Sequence, residues 1–154
     1  VWGSPGSSRS LPERSGLDLA GLHGPVPDGD PGLSARIGRV FTGLNPGIVL
    51  ERFNWTVQPS DKRYTPNRPG VSGKSVNDLF LRVERQTVRK LAKTGAIVFA
   101  IRVSVDPLLP VLAEGVARDA FEDAWLGASS DVRRYKHWDE LEPLVAEACR
   151  MSGR

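Results

Sequence analysis

The chain has 154 residues and a single cysteine, Cys149, so neither an intrachain disulfide nor a cysteine-built metal cluster can form. One thiol suits a reducing compartment, and the cytoplasm is the expected location. Long apolar runs are also missing. The longest, Ala96 to Ile101, falls far short of the ~20 residues that span a bilayer. No basic segment followed by an apolar one opens the chain, so no signal peptide is read. The first residue is Val1 rather than Met, and the sequence reads as cut from a longer polypeptide. Charge of one sign is scarce: 21 Lys and Arg interleave with 18 Asp and Glu to a net +3. Nucleic acid or membrane lipid would need a concentrated basic face, so neither is an expected partner. What is present, 40% hydrophobic and 25% charged residues, is the balance of one soluble globular domain.

Residues 1–18 are expected as a flexible segment, rich in Ser, Gly, Pro and Arg without an apolar period. The folded part is expected over 19–154. Gly21 to Gly32 holds three prolines and four glycines and excludes a helix or a central strand. Leu33, Ile37, Val40, Phe41 and Leu44 then fall at helical spacing, with Ser34 as cap and Asn45-Pro46-Gly47 as stop. Ile48 to Gln58 reads as a strand, Asp61 to Ser75 as a long loop that is functional or mobile, and Leu79 to Leu91 and Ala96 to Val105 as two more strands. Asp106-Pro107 is expected to stop the third strand. One amphipathic helix is expected over Leu108 to Leu126 and another over Asp139 to Arg150. Strands before helices make the class α+β, with an antiparallel hairpin at its centre.

The hairpin carries the most information. Lys93-Thr94-Gly95 fits a three-residue loop, with Gly95 left-handed. That register sets Leu91 against Ile97, Arg89 against Phe99, Thr87 against Ile101 and Val83 against Val105, a mostly apolar face for the core. The opposite face gathers Arg82, Glu84 and Gln86 against Asp106, Ser104 and Arg102. A shift by one residue places Arg85 opposite Arg102 and mixes apolar with charged positions, which disfavours it. The polar row has two readings. It is a wet outer face laced with ion pairs, as antiparallel sheets commonly have, or it is the polar wall of a pocket where Glu84, held by guanidinium groups, binds a cationic amine.

Three segments resemble the haem-dependent oxidative N-demethylase alpha-subunit family: Leu22-His23-Gly24-Pro25-Val26-Pro27, Arg52-Phe53-Asn54-Trp55, and Leu81 to Leu91 (LRVERQTVRKL) running into Ala96 to Arg102. Tyr135-Lys136-His137-Trp138 is similar to the family's closing segment, and the likeness covers Leu19 to Cys149. The RVERQT element is the specific part; the His-Gly-Pro-Val-Pro element alone is weak. The resemblance implies a PAS-like antiparallel sheet with flanking helices, haem b as cofactor, and oxidation of a small secondary amine such as dimethylamine with release of formaldehyde. Electrons would come from NADPH through a partner subunit carrying flavin and an iron–sulfur centre. Family members are much longer, so the sheet and the haem pocket are expected to be incomplete here. The alternative is a PAS-like sensor module that binds haem or a small ligand without turnover; a third reading is a remnant that holds no haem.

The candidate residues follow from that likeness. His23 is the candidate axial ligand of the iron, since histidine leads the short list of haem ligands, against the plainer reading of a loop histidine. Arg52 would meet a haem propionate as arginine meets carboxylates, with Asn54 and Arg102 as further cofactor contacts. Glu84 would pair with the protonated amine, while Arg82 and Gln86 orient it; the competing reading is a cross-strand partner of arginine. Trp55 reads as core and His137 as surface or structural. Arg63, Tyr64 and Arg68 sit in the long loop that would cover the site.

Overall fold

Ile37, Phe41 and Leu44 share one helical face, and β-branched and aromatic residues crowd the stretch after Pro46. These two patterns set the first elements of the fold. The computed structural model describes residues 33–65, 67 and 69–153. The segment 1–18 expected as flexible, His23 and Arg68 lie outside them. Helix α1 spans Leu33–Gly43, with Ile37 and the following Leu44 buried. Gly47, at φ 98°, turns the chain into β1, Val49–Gln58. Strands β2, Phe80–Lys90, and β3, Ile97–Pro107, complete an antiparallel sheet of order β1-β2-β3. Four helices follow: α2, Leu108–Ala113; α3, Gly115–Leu126; α4, Ser130–Lys136; and α5, Glu142–Ser152. The class is α+β, as expected. No described helix is long and apolar enough to cross a membrane.

The hairpin register differs from the expected one. The structure pairs Arg85 with Arg102, Glu84 with Val103 and Gln86 with Ile101, the arrangement disfavoured from the hairpin alone. Four residues, Ala92 to Gly95, form the loop rather than three; Gly95 is left-handed at φ 70° and its N–H bonds to the Leu91 carbonyl at 2.8 Å. Four-residue hairpin loops are common, and a glycine suits their left-handed position. The slip moves Ser104 and Arg102 to the face opposite Arg82, Glu84 and Gln86. It also leaves Arg85 and Arg89 exposed instead of against the core. The polar row finds its partners on β1, where Arg52 lies opposite Gln86 and Asn54 opposite Glu84.

The expected single helix over Leu108 to Leu126 is two helices. Glu114 takes an extended backbone (φ −83°, ψ 107°), closing α2 and opening α3. At ~3.6 residues per turn, the nine residues from Leu112 to Phe121 make about two and a half turns. A straight helix would therefore turn those side chains to opposite sides. The break brings Leu108, Leu112, Phe121 and Trp125 into one core with Val57, Leu79, Trp138, Leu141, Val145 and Ala148. Strand β3 runs through Pro107 rather than stopping before it, and the Leu108 N–H then bonds to the Leu79 carbonyl at 2.9 Å. Helix α5 starts at Glu142, three residues later than expected, because Trp138–Glu140 form a 3-10 turn. Helix α4 has little apolar period and was not anticipated. Its ends explain it: the Ser129 side chain accepts from the Val132 N–H, Asp131 sits in the first turn, and Arg133, Arg134 and Lys136 sit in the last.

Four aromatic rings organise the core. Trp138 stacks on Trp125 at 4.3 Å between centroids and leans on Trp55 at 4.7 Å, while Phe121 meets Trp55 edge-on at 5.6 Å. Trp138 is 1% exposed, and its Nε1 donates to Thr56 Oγ1 at 2.9 Å, so a buried N–H is satisfied by β1. Trp138→Ala is expected to cost about 3–5 kcal/mol in urea unfolding; an unchanged midpoint would place the centre of the core elsewhere. Burial pushes the Cys149 thiol up from 9.0 to about 11, with Glu122 and Glu142 adding to the rise. A raised thiol pKa means less thiolate at neutral pH. Iodoacetamide is therefore expected to alkylate Cys149 roughly a hundredfold more slowly than an exposed thiol, and a rate equal to that of free cysteine contradicts this.

Candidate functional site

Strand β2 is central, so its side chains are approached from both flanks. Alternate residues Arg82, Glu84, Gln86 and Val88 point to one face. Glu84 and Gln86 are 3% and 2% exposed, buried as deeply as the apolar core. A buried charge persists only when it is paired and hydrogen-bonded, and Glu84 meets both conditions. Its Oε1 accepts from Arg82 Nε and pairs with Arg82 Nη2, both at 3.0 Å, and its Oε2 accepts from Gln86 Nε2 at 3.0 Å. Gln86 passes the order on to β1: its Oε1 accepts from Arg52 Nε at 2.6 Å. Arg82 also donates through Nη1 to the Arg63 carbonyl at 2.8 Å, so the long loop is tied to the row.

A third cation enters from α4. Lys136 Nζ donates to Asn54 Oδ1 at 3.1 Å and to the Trp55 carbonyl at 2.6 Å, and lies over the rings of Trp55 and Trp138 at 5.5 and 5.1 Å. Burial pulls the Lys136 ammonium below the usual lysine pKa, and the Glu84 carboxylate opposes that pull. Burial likewise lowers Arg52, again opposed by Glu84. One carboxylate thus sits among Arg52, Arg82 and Lys136. Lys136 was not among the residues anticipated, since 82 residues separate it from Asn54. The one signal for it was its place in the Tyr135-Lys136-His137-Trp138 segment.

Beside this row lies a cavity of about 250 Å³ between α1 and the sheet. Its walls are Ile37, Val40 and Phe41 from α1 and Leu50, Val88 and Phe99 from the strands, with Glu51, Arg52 and Gln86 as the polar edge, the Glu51 carboxylate being paired with Arg85. The structure therefore brings together Arg52, Asn54, Arg82, Glu84 and Gln86. It separates Arg102, which is exposed on the opposite face of the sheet, opposite Arg85. Asn54 reaches the row through Lys136. His137 is exposed, and its left-handed backbone (φ 56°) ends α4. Tyr64 is 67% exposed on the loop.

Residues 5–146 match the family described as haem-dependent oxidative N-demethylase, alpha subunit-like. The chain belongs to this family. A comparison with curated proteins finds no match. For a chain of the haem-dependent oxidative N-demethylase, alpha subunit-like family, the cavity supplies a direct test of fit to haem. Six apolar side chains offer a flat, greasy wall to a macrocycle, and Arg52 at the edge offers a guanidinium to a carboxylate. The volume of about 250 Å³ lies just under the ~300–1,000 Å³ of small-molecule sites. The described lining residues fit the ring and a propionate. The candidate iron ligand, His23, lies outside the described residues.

Two predictions follow from the charges. Arg82→Ala strands a buried carboxylate and is expected to cost about 3–5 kcal/mol, read as the shift in urea midpoint; a loss within error would mean Glu84 is not held by this pair. Lys136 has a folded pKa below its ordinary 10.5. The unfolded chain therefore binds more protons, and stability should rise with pH through the alkaline range up to that value. The stability difference between wild type and Lys136→Met should climb over the same range, and a flat or falling difference contradicts the assignment.

Proposed function

We propose that this chain binds haem b against the α1–sheet cavity and, within its complete assembly, oxidises a small secondary amine such as dimethylamine. The observation that carries the reading is the adjacency of an apolar cavity and a buried, fully ordered carboxylate row, joined through Gln86, in a chain of this family. Ile37, Val40, Phe41, Leu50, Val88 and Phe99 would hold the macrocycle, Arg52 a propionate, and His23 the iron. Bound haem would supply the oxygen chemistry by which a methyl group is hydroxylated and lost as formaldehyde, with electrons from a partner carrying flavin and an iron–sulfur centre.

The protein's own contribution is position and field. The apolar walls would shield the side of the ring that lies against them. Arg82 and Gln86 lock the Glu84 carboxylate so that no reorganisation is needed when a ligand arrives. Each carboxylate oxygen accepts about two hydrogen bonds. Oε1 takes two donors from Arg82, while Oε2 takes one from Gln86. Among the described residues Oε2 therefore keeps a place for the N–H of a protonated amine, with Gln86 as the residue that borders both the carboxylate and the cavity. Arg102, exposed on the opposite face of the sheet, has no part in this reading.

One observation favours a second reading, a haem- or ligand-binding module without turnover. Three cations surround Glu84, which leaves its neighbourhood positive and weakens its hold on another cation. Purified protein titrated with hemin and then dimethylamine decides between them. The proposal expects a Soret band at one equivalent that shifts on adding the amine, with the shift lost and the band kept in Glu84→Gln. A band that never responds to amine selects the binding module. Filling the cavity with Val88→Trp should weaken hemin uptake about tenfold or more, and undiminished uptake would move the haem elsewhere. An unchanged haem spectrum in His23→Ala rules out His23 as ligand.

A further inference from the structure

The face of the sheet opposite the carboxylate row is built unlike an ordinary wet surface. Antiparallel sheets keep one face solvated with polar side chains, yet here Phe53, Val49 and Val98 are 63%, 54% and 39% exposed. They do not stand alone. The register sets Arg89 between Val49 and Val98, and sets Arg85 between Phe53 and Arg102. Apolar side chains and guanidinium groups thus lie side by side across three adjacent strands, with Glu51, Thr87 and Ala100 in the row between.

The charges on this face are unbalanced. Arg85 pairs with Glu51 at 2.5 Å, while Arg89 and Arg102 form no ion pair with a described residue. Arg85 and Arg102 are direct cross-strand neighbours. Like charges in that position destabilise a sheet; the register set by the buried row brings the pair together, and the one described carboxylate paired there is Glu51, on Arg85. A carboxylate arriving from outside removes the conflict.

We propose that the outer face of the sheet docks a partner protein whose surface sets carboxylates around apolar side chains. Arginine and phenylalanine are enriched at protein interfaces and among their strongest contacts, and the mixture suits a protein better than a polyanion. Nucleic acid or an anionic membrane would call for a continuous basic field, and three arginines interleaved with valine and phenylalanine do not make one. A second copy of this chain is disfavoured for another reason, because two such faces brought together oppose arginine to arginine. The proposal is independent of the haem reading, since the face lies on the other side of the sheet from the cavity.

A defined probe tests it. Full chain is passed over an immobilised random copolymer of glutamate and tyrosine, and in parallel over polyglutamate, single-stranded RNA and phosphatidylglycerol vesicles. The expected result is preference for the glutamate–tyrosine copolymer, weakened about tenfold or more in Arg89→Glu/Arg102→Glu and in Phe53→Ser. Arg134→Glu, on the exposed face of α4, serves as the control and should leave binding unchanged. The double variant should also keep or raise the melting temperature, since Arg102→Glu relieves the Arg85 repulsion, so lost binding there cannot be lost folding. Undiminished binding by the double variant, equal weakening by Arg134→Glu, or equal or tighter binding to polyglutamate, RNA or vesicles overturns the proposal. A dimer in sedimentation velocity that Phe53→Ser dissociates overturns it in favour of self-association.

Discussion

A carboxylate buried in the middle strand of a sheet is the constraint on which this structure turns. An ion taken out of water costs several kcal/mol unless its oxygens are met by donors, and Glu84 is 3% exposed. Everything on that face follows from meeting the cost. Arg82 supplies two contacts, Gln86 one, and Arg52 orders Gln86 from the neighbouring strand. The same need explains the hairpin register. Pairing Arg82, Glu84 and Gln86 with the polar residues of β3 looks favourable for a hairpin in isolation. It loses once β1 is present, because β1 delivers Arg52 and Asn54 to the same face and lets β3 contribute Val103, Ile101 and Phe99 as apolar wall.

The aromatic core and the polar row are mechanically one unit. Lys136 rests on Trp55 and Trp138 while it donates to Asn54 and to the β1 backbone. Trp138 in turn is fixed to Thr56. Helix α4, only seven residues long, is too short to be stable by itself. It is held by its caps and by these contacts, and it places a half-buried ammonium near the carboxylate. The strand that carries Asn54 is therefore braced from the helical layer through Lys136, and a polar row built on strands is the arrangement that keeps a site preorganised.

The two faces of the sheet divide the labour. One face meets α1 across a cavity lined by aliphatic and aromatic side chains. The other packs Trp55 and Val57 into the aromatic core at one end and, at the Val49–Phe53 end, presents apolar side chains and arginines to solvent, with a like-charge pair that the fold tolerates. That division is consistent with an alpha-subunit-like chain, whose family description already implies assembly with other subunits.

By itself the sequence determined the α+β class, the three strands, α1, and the polar residue set Arg82, Glu84 and Gln86, because periods of two and of 3.6 residues are local properties of the chain. It also carried the family, through the long specific run over Leu81 to Leu91. Tertiary structure decided the rest. The register depended on a third strand, which no reading of one hairpin contains. The break at Glu114 depended on bringing Leu112 and Phe121 to a single core. The role of Lys136 depended on a contact across 82 residues, and the removal of Arg102 to the outer face followed from the one-residue slip. Local pattern fixes which side chains are polar or apolar; only packing decides which of them meet.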